Sequence, residues 1–363
     1  MKDKKVLIGM SGGVDSSVAA AILKEQGYQV AGATMKLWTA SDDNPLKEGC
    51  SSDGAVEDAR RVCNELGIDF YVLDFKDLFK EKVVDYFVDE YIHGYTPNPC
   101  IACNKHLKFD AMLSYALQKG FDYVATGHYA KIETDESGKY ILRAANSGKK
   151  DQSYVLYQFT QEQLSHTLMP LGEYTKDEVR EKAEALGLNV ASKPESMEIC
   201  FVEDGNYADF ICDYADYTPL EGDILDVNGN VLGTHKGLIH YTIGQRKGIG
   251  AYGRPMFVMS MDSDKNTITL GEKGMEYSNY LYARNVTFIS GIIPTEPIRT
   301  TVRIRYQAKS APATLIPRGE LMRIEFDEPQ RAVTPGQAVV FYDGDIVLGG
   351  GTVEKYNKEG LDL

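Results

Sequence analysis

The apolar run Val6-Leu-Ile-Gly9 passes directly into Met10-Ser11-Gly12-Gly13-Val14-Asp15-Ser16 and then into the Ala-rich stretch Ser17-Val-Ala-Ala-Ala-Ile-Leu23. A strand that ends on paired glycines and opens a helix constrains the chain to an α/β layer arrangement. The glycines let the backbone turn tightly, so that amide N–H groups and the positive end of the helix converge on an anion. Ser11 and Ser16 add hydroxyl donors. The loop lacks the Gly-Lys-Ser/Thr end of a Walker loop, so it need not hold terminal phosphates with a lysine of its own. Asp15, placed beside phosphates, makes sense with a Mg²⁺ ion between them. The plainer alternative is a glycine turn capped by Asp15 or Ser16.

The same alternation continues. A helix is expected from Ser16 to Gln26, strands at Val30–Met35 and Phe70–Leu73, a helix near Gly54–Leu66 and a strand at Tyr123–Ala125. This βαβ rhythm predicts a doubly wound, mainly parallel sheet with its ligand beyond the carboxyl ends of the strands. Between Leu78 and Gln118 a helical insertion is interrupted by Tyr95-Thr-Pro97-Asn-Pro99, where two prolines force an extended stretch. Thr175-Lys-Asp-Glu178 has capping-box spacing and starts a helix that ends near Gly187. After Pro219 the pattern becomes all-β, with turn clusters at Asp226–Asn230 and Asp262–Asn266. Strands are expected at Thr301–Tyr306, Met322–Phe326, Ala338–Tyr342 and Ile346–Leu348, closing into a small barrel or sandwich. The expected domains are 1–215, catalytic and carrying the helical insertion; 216–280, central and β-rich; and 281–363, a C-terminal β-barrel.

Net charge is −14, which taken over the whole chain argues against a nucleic-acid binder. From Leu281 onward, however, ten basic residues balance ten acidic ones, so the acidic excess lies in 1–280. Two windows hold cations and no acid: Val227–Met261 with Lys236, Arg246, Lys247 and Arg254, and Pro297–Gly319 with Arg299, Arg303, Arg305, Lys309 and Arg318. Each is either a phosphate-facing surface or a set of scattered solvated charges. No apolar run reaches membrane-spanning length and no signal-peptide core follows Met1, so a cytoplasmic protein without a membrane partner is expected.

Six cysteines are too few for a disulfide scaffold in a chain of this size. Asn98-Pro99-Cys100-Ile-Ala-Cys103-Asn104-Lys105, with His106 and Lys108 beyond, places a thiol near a helix start among cations, which favours the thiolate. A reactive thiol is the favoured reading; half of a zinc site and buried structural cysteines are the alternatives. Ser196-Met-Glu198-Ile-Cys200-Phe201 is a lone cysteine in an apolar run, more often core than catalytic. Gly248-Ile-Gly250-Ala-Tyr-Gly253 matches the dinucleotide pattern but precedes Arg254-Pro255 and a strand rather than a helix, so it is read as a loop.

Ser11-Gly12-Gly13-Val14-Asp15-Ser16 resembles the pyrophosphate loop of ATP pyrophosphatases. With the two cysteine sites in this order, the chain resembles the tRNA-specific 2-thiouridylases over essentially its whole length. Thr126-Gly127-His128-Tyr-Ala130, Lys150-Asp151-Gln152-Ser153-Tyr154, Ile243–Gly248 and Arg303-Ile-Arg305-Tyr306-Gln307 look like further segments of that family. The resemblance implies an adenine nucleotide alpha hydrolase-like fold and adenylation of the wobble uridine by ATP and Mg²⁺. A cysteine persulfide then supplies sulfur, giving 2-thiouridine, AMP and diphosphate. It implies that Gly9, Met10, Ser11, Gly12, Gly13, Val14, Asp15, Ser16, Met35 and Gly127 bind ATP. Cys200 would carry the persulfide and Cys103 would be the partner nucleophile, the two ending as a disulfide that a cellular thiol must reduce. Asn98, Pro99 and Cys100 would meet the target base. His128, Lys150, Asp151, Gln152, Ser153, Arg305, Tyr306, Gln307 and Gln337 would face tRNA of the Lys, Glu and Gln type. A cysteine desulfurase or a sulfur relay protein is the implied donor. Direct persulfide attack and released hydrosulfide both remain open. Many relatives have Asp where Cys100 stands, so an iron–sulfur cluster on Cys100, Cys103 and Cys200 is a less favoured alternative. Two readings outside the family are a pyrophosphate-loop ligase acting on a small molecule, and a tRNA-binding module without catalysis.

Overall fold

The computed structural model describes residues 3–37, 53–146, 150–188, 199–202 and 205–355. Seven strands precede residue 170: β1 (Lys5–Gly9), β2 (Gln29–Lys36), β3 (Asp69–Asp74), β4 (Tyr123–Ala125), β5 (Ala130–Thr134), β6 (Tyr140–Ala144) and β7 (Thr167–Leu168). Five of them form a parallel sheet in the order β3-β2-β1-β4-β7. β1 lies at its centre, and Val6, Leu7 and Ile8 are fully buried, as expected of a parallel strand covered on both faces. Strand alternation sends Leu7 to one face, among Leu73, Val124 and Met112, and Val6 and Ile8 to the other, among Val18, Ile22 and Val62. Each such side chain contributes about 1.5–3 kcal/mol on burial. The helix Val14–Glu25 is buried over most of its surface because the helices Asp53–Leu66 and Lys176–Ala185 pack beside it. The second of these opens with the capping box read from the sequence: the Thr175 hydroxyl accepts from the Glu178 amide, and the Glu178 carboxylate accepts from the Thr175 amide at 2.7 Å.

The insertion runs through helical turns from Lys76 to Ile92 and again from Pro99 to Gln118, with π-helical stretches at Lys80–Asp85 and Asn104–Ala111. The break between them falls on the segment carrying Pro97 and Pro99. The first of these helical stretches buries Phe79 and Phe87 against Phe201, which comes from later in the chain.

Beyond residue 220 the chain is all-β. A four-stranded sheet orders Met256–Asp262, Thr267–Glu272, Gly222–Leu225 and Val231–His235. Six later strands, Tyr277–Phe288, Ile298–Arg303, Ala311–Arg318, Leu321–Arg331, Ala338–Asp343 and Ile346–Val353, close into a barrel because the first pairs with the last. The strand expected at Thr301–Tyr306 is shifted: it spans Ile298–Arg303, and the chain turns away at residues 304–307. Residues Gly248–Gly253 form a loop without a following helix, as the sequence indicates.

The N-terminal part and the barrel share a sheet. The β5–β6 hairpin continues the barrel sheet through Arg143 opposite Ile346 and Leu142 opposite Val347. Below it, the Arg303 guanidinium donates to Asp151 at 2.7 Å and lies 4.5 Å from the Tyr342 ring centre. Farther along the seam, Arg284 donates to both carboxylate oxygens of buried Glu90 at 2.7 and 2.9 Å. The extended segment Tyr95–Pro99 is gripped from the barrel side: Thr96 donates its amide to the Pro335 carbonyl at 2.8 Å, and its own carbonyl accepts from Gln337 Nε2 at 2.7 Å. No helix among the described residues is long and apolar enough to cross a membrane.

Candidate active site

The carboxyl end of β1 delivers Gly9 and Met10 to the floor of a cavity of about 320 Å³, a volume in the range of small-molecule sites. Gly12 adopts φ +71°, and a Cβ there would lie 2.8 Å from the Ala55 carbonyl oxygen, so glycine is required. The turn is held from within: the Ser11 amide donates to Ser16 Oγ at 3.2 Å, and the Ser17 hydroxyl donates to the Gly13 carbonyl at 2.8 Å. Gly13 is the N-cap and supplies no side-chain acceptor, so the first-turn amides keep their anion-binding capacity. Ser16 also ties the turn to itself, its hydroxyl donating to the Gly13 carbonyl at 3.2 Å.

Asp15 Oδ1 accepts from the Tyr129 hydroxyl and from Lys176 Nζ, both at 2.7 Å. Neither partner was singled out in the sequence. Lys176 is 161 positions away in the chain and reaches the loop from the first turn of the helix that Thr175 caps. A cation thus reaches the anion loop from outside it. Gly127 closes the side: a Cβ there would stand 2.8 Å from the Ser16 amide nitrogen and 2.9 Å from the Asp15 carbonyl carbon. Met35 and Thr34 complete this wall, Thr34 by donating its hydroxyl to the Met10 carbonyl at 2.8 Å.

The opposite wall carries sulfur. Asn98 caps the helix Pro99–Cys103, its Oδ1 accepting from the Cys100 amide at 3.1 Å, and Pro99 fills the first helical position. Cys100 sits in the first turn, whereas Cys103 stands at the last residue of that helix, where it runs on into the Asn104–Ala111 stretch. Helical structure continues unbroken to Gln118, so Cys100 lies in its first turn and Cys103 one turn further on. Lys108 lines the cavity. Burial, reinforced by Lys105 and Lys82, lowers the pKa of His106 and so disfavours its charged form. Cys200 arrives on Ile199–Val202, where buried Phe201 packs 5.6 Å from Phe79 and 5.2 Å from Phe87 between ring centres. Cys100, Cys103 and Cys200 line the same cavity as Gly9, Ser11 and Asp15.

The residues expected at tRNA divide into two groups. Arg305, Tyr306 and Gln307 are exposed on the turn that follows the shifted barrel strand. His128, Asp151 and Ser153 are instead buried. His128 lines the cavity, its Nδ1 2.7 Å from the Thr126 hydroxyl, and burial lowers its pKa well below the usual value. Asp151 accepts from the Ser153 amide at 3.0 Å and from Arg303 in the domain seam. Gln152 lines the cavity while its side chain accepts from the Tyr129 amide at 2.9 Å. Lys150 is partly exposed. Gln337 is turned onto Thr96. The buried positions suit bracing of the cavity and its rim, whereas residues 305–307 are open to solvent.

The donor set also tests the expected inorganic groups. One carboxylate at an anion loop fits Mg²⁺ carried in with phosphates. Among the described residues, no three His, Cys, Asp or Glu side chains are grouped to hold a metal ion. Cys100, Cys103 and Cys200 are likewise not grouped as an iron–sulfur cluster requires.

The architecture defines a class: an α/β HUP domain followed by two β domains. Residues 4–204 match the family described as tRNA methyl transferase HUP domain, 208–272 the tRNA methyl transferase PRC-barrel domain, and 278–353 the aminomethyltransferase beta-barrel domain. The chain is 57% identical over 356 residues to the tRNA-specific 2-thiouridylase MnmA of Clostridioides difficile, covering 97% of this chain and 99% of that one. It is 55% identical to the protein of that name from Acetivibrio thermocellus, over 98% of this chain and 100% of the other. It is 53% identical to tRNA-specific 2-thiouridylase MnmA 2 of Caldanaerobacter subterraneus, over 98% and 99%. The chain belongs to the tRNA-specific 2-thiouridylase family.

Proposed function

We propose that this protein uses ATP and Mg²⁺ to replace O2 of the wobble uridine of Lys, Glu and Gln tRNAs with sulfur. The observation that carries the reading is the single cavity in which the phosphate-loop residues Gly9, Ser11 and Asp15 face Cys100, Cys103 and Cys200. A uridine carbonyl oxygen is a poor leaving group. Attack of O2 on the α-phosphate of ATP expels diphosphate and turns that oxygen into part of AMP. The first-turn amides of the helix Val14–Glu25 stabilise the charge that develops on the phosphates. Mg²⁺ would be held by Asp15 and the phosphates, neutralising charge on the departing diphosphate.

Sulfur arrives on Cys200 as a persulfide from a protein donor. In one order of events its terminal sulfur attacks C2 and AMP leaves; the Cys103 thiolate then attacks Cys200 Sγ, the S–S bond breaks, and the thiocarbonyl stays on the base. In the other, Cys103 frees hydrosulfide first, and that species attacks C2. Both orders end with a Cys103–Cys200 disulfide, which a cellular dithiol resets by donating two electrons and itself becoming a disulfide. Arg305, Tyr306 and Gln307 supply the exposed tRNA-facing edge, and Asn98, Pro99 and Cys100 the rim nearest the base. The domains proposed for these roles are 1–215 for adenylation and sulfur transfer, 216–280 as the central domain, and 281–363 for tRNA contact, in a cytoplasmic enzyme.

The test is nucleoside mass spectrometry of unmodified tRNA incubated with the protein, ATP-Mg²⁺, a cysteine desulfurase and cysteine. The reading requires 2-thiouridine that depends on ATP and on Cys200. Release of AMP and diphosphate without thiolation, under a full donor supply, refutes the sulfur step and leaves only an adenylating ligase.

A further inference from the structure

Of the lysines that follow Cys103 in sequence, Lys105 is exposed and stands outside the cavity lining, whereas Lys108 is half-buried and lines the cavity. Among the described residues it is the one lysine or arginine that does so. None of the steps proposed for thiolation uses it. No carboxylate among the described residues pairs with it, while the cavity's own carboxylate, Asp15, is engaged by Tyr129 and Lys176.

The backbone puts it there. On an α-helix, with about 3.6 residues per turn, a side chain five positions after Cys103 would point well away from it. Asn104–Ala111 is instead π-helical, and π-helical hydrogen bonds join residues five apart, as the Met112 amide does with the Leu107 carbonyl at the end of the stretch. Residues five apart then lie nearly in line, so Lys108 returns to the face that carries Cys103. Its neighbours fix that rotation. Leu107 is fully buried in the aromatic cluster of the insertion, and Phe109 is buried among Met112 and Phe159. Buried Asn104 donates its side-chain amide to the Val155 carbonyl at 3.0 Å. Such π-helical turns are rare in proteins and recur at functional sites.

The same face continues to the phosphate wall. Met112 also lines the cavity, and a Cβ on Gly9, at the end of β1, would lie 3.7 Å from its Sδ and Cε. Cys103, Lys108 and Met112 thus run in chain order from the sulfur wall to the strand that opens the glycine loop. The charge of Lys108 reaches His128, where it adds to burial in lowering the imidazole pKa. His128 in turn follows Gly127, which packs against Ser16 and Asp15. A cation at the join of the two walls meets the group that must span them, the phosphate linking adenosine to O2 of uridine. The two displacements differ in where charge gathers. In the first it gathers on diphosphate, which the first-turn amides of Val14–Glu25 face. In the second, anionic sulfur adds to C2, the C2–O2 bond breaks with its electron pair on oxygen, and AMP leaves with that extra negative charge. A fixed cation beside the α-phosphate is strongest in this second step, once diphosphate has gone.

We propose that Lys108 is a catalytic residue of the sulfur step: its ammonium pairs with the α-phosphate of the adenylated uridine and stabilises AMP as sulfur displaces it. The assignment rests on the reading of an adenylated uridine as the intermediate. It gives Lys108 a charge to supply and no proton to transfer.

The test compares K108Q, K108R and K108A with the unsubstituted full-length protein, each given ATP-Mg²⁺ labelled in the α-phosphate, unmodified tRNA, a cysteine desulfurase and cysteine. Label on quenched tRNA and 2-thiouridine are followed together. K108Q is expected to form 2-thiouridine about a hundredfold more slowly at saturating tRNA, the scale on which one charge-stabilising donor acts. Its KM for tRNA should be unchanged, and label should accumulate on tRNA because adenylation outpaces sulfur attack. K108R, which keeps the charge, should recover most of the rate. Added ethylammonium should speed K108A, a response that a packing role does not give. Thiolation by K108Q at the unsubstituted rate overturns the proposal. So does slow thiolation without labelled tRNA: a raised pH for alkylation of Cys103 by iodoacetamide in K108Q then assigns the lysine to that thiolate, and an unchanged one assigns it to packing. An unsubstituted protein that neither labels nor thiolates tRNA defeats the functional reading, and the proposal with it.

Discussion

The two walls of the cavity are built in opposite ways. The phosphate wall is almost continuous in sequence: β1, the glycine turn and the first helical turn occupy residues 5–16, and the sheet around them buries every side chain of Val6-Leu-Ile8. The sulfur wall is assembled from a short helix in an insertion, Pro99–Cys103, and from Ile199–Val202, about 100 positions later. Nothing in hydrogen-bonded sheet structure carries Cys103 or Cys200; aromatic packing and the grip of the barrel on Thr96 hold their wall in place. Phosphate geometry is thus fixed by the fold's centre, whereas thiol geometry depends on contacts from three separate parts of the chain. Such a division suits a reaction whose first step needs a fixed anion cradle and whose second passes through successive sulfur bonds.

The sharpest way to break this comparison is to attack each wall in turn. Cys200→Ser and Cys103→Ser should each lower 2-thiouridine formation by at least about a thousandfold, the scale on which loss of a nucleophile acts. Both should leave the tRNA-stimulated first release of diphosphate intact. Gly127→Ala acts on the other wall, where its Cβ would meet the Ser16 amide at 2.8 Å. It should cost about a hundredfold in diphosphate release and thiolation together, as expected when a positioning contact shifts by about an ångström. Paired assays of diphosphate and thionucleoside decide it. If the cysteine variants also lose diphosphate release, the two walls are not separable.

Legibility in the sequence follows the same line. The glycine loop, the helix that Thr175 caps and the β1–β4 strands were readable because each depends on neighbours a few positions away. The β5–β6 hairpin was not, since its other partner, Ile346–Val353, lies some 200 positions on. The strand Ala311–Arg318 went unread because Pro312 and Pro317 interrupt its pattern, although it pairs along its length with Leu321–Arg331. Lys176 and Tyr129 were missed at Asp15 for the first reason: no spacing rule links positions 15 and 176. The cysteines could be singled out by their neighbours, but only the fold shows that they share a cavity. His128 and Asp151 show the converse, polar residues whose burial, at the cavity and in the domain seam respectively, is invisible to composition.

A smaller effect sharpens the role of the barrel. Gly336 has φ +90°, and a Cβ there would lie 2.7 Å from the Thr96 nitrogen. Thr96 is two positions before Asn98, the cap of the helix that carries Cys100 and Cys103. Gly336→Ala should therefore displace the sulfur wall and leave the phosphate wall untouched. The expected result is about a tenfold fall in thiolation rate with diphosphate release, tRNA affinity and ATP KM near their original values, a loss of about 1.4 kcal/mol of transition-state stabilisation. An equal fall in both activities would mean that the barrel grip supports the whole cavity.

The smallest effect concerns His128, on the rim where the walls meet. Its ring is buried against Thr126 and Phe109, so the folded protein holds it neutral, with a pKa well below 6.5. The unfolded chain binds a proton at this position once pH falls below about 6.5. The unfolded state then holds more protons, so stability from this group is fully present above that pH and is lost as pH drops. The loss grows as pH falls further below 6.5, because burial disfavours protonation of the ring in the folded protein. His128→Asn keeps a hydrogen-bonding partner for the Thr126 hydroxyl and removes the titration. Its urea-unfolding free energy should fall less steeply than that of the unsubstituted protein between pH 7 and 5.5. Parallel pH profiles would show that the folded protein protonates His128 as readily as the unfolded chain does, and would mark this part of the rim as open to water.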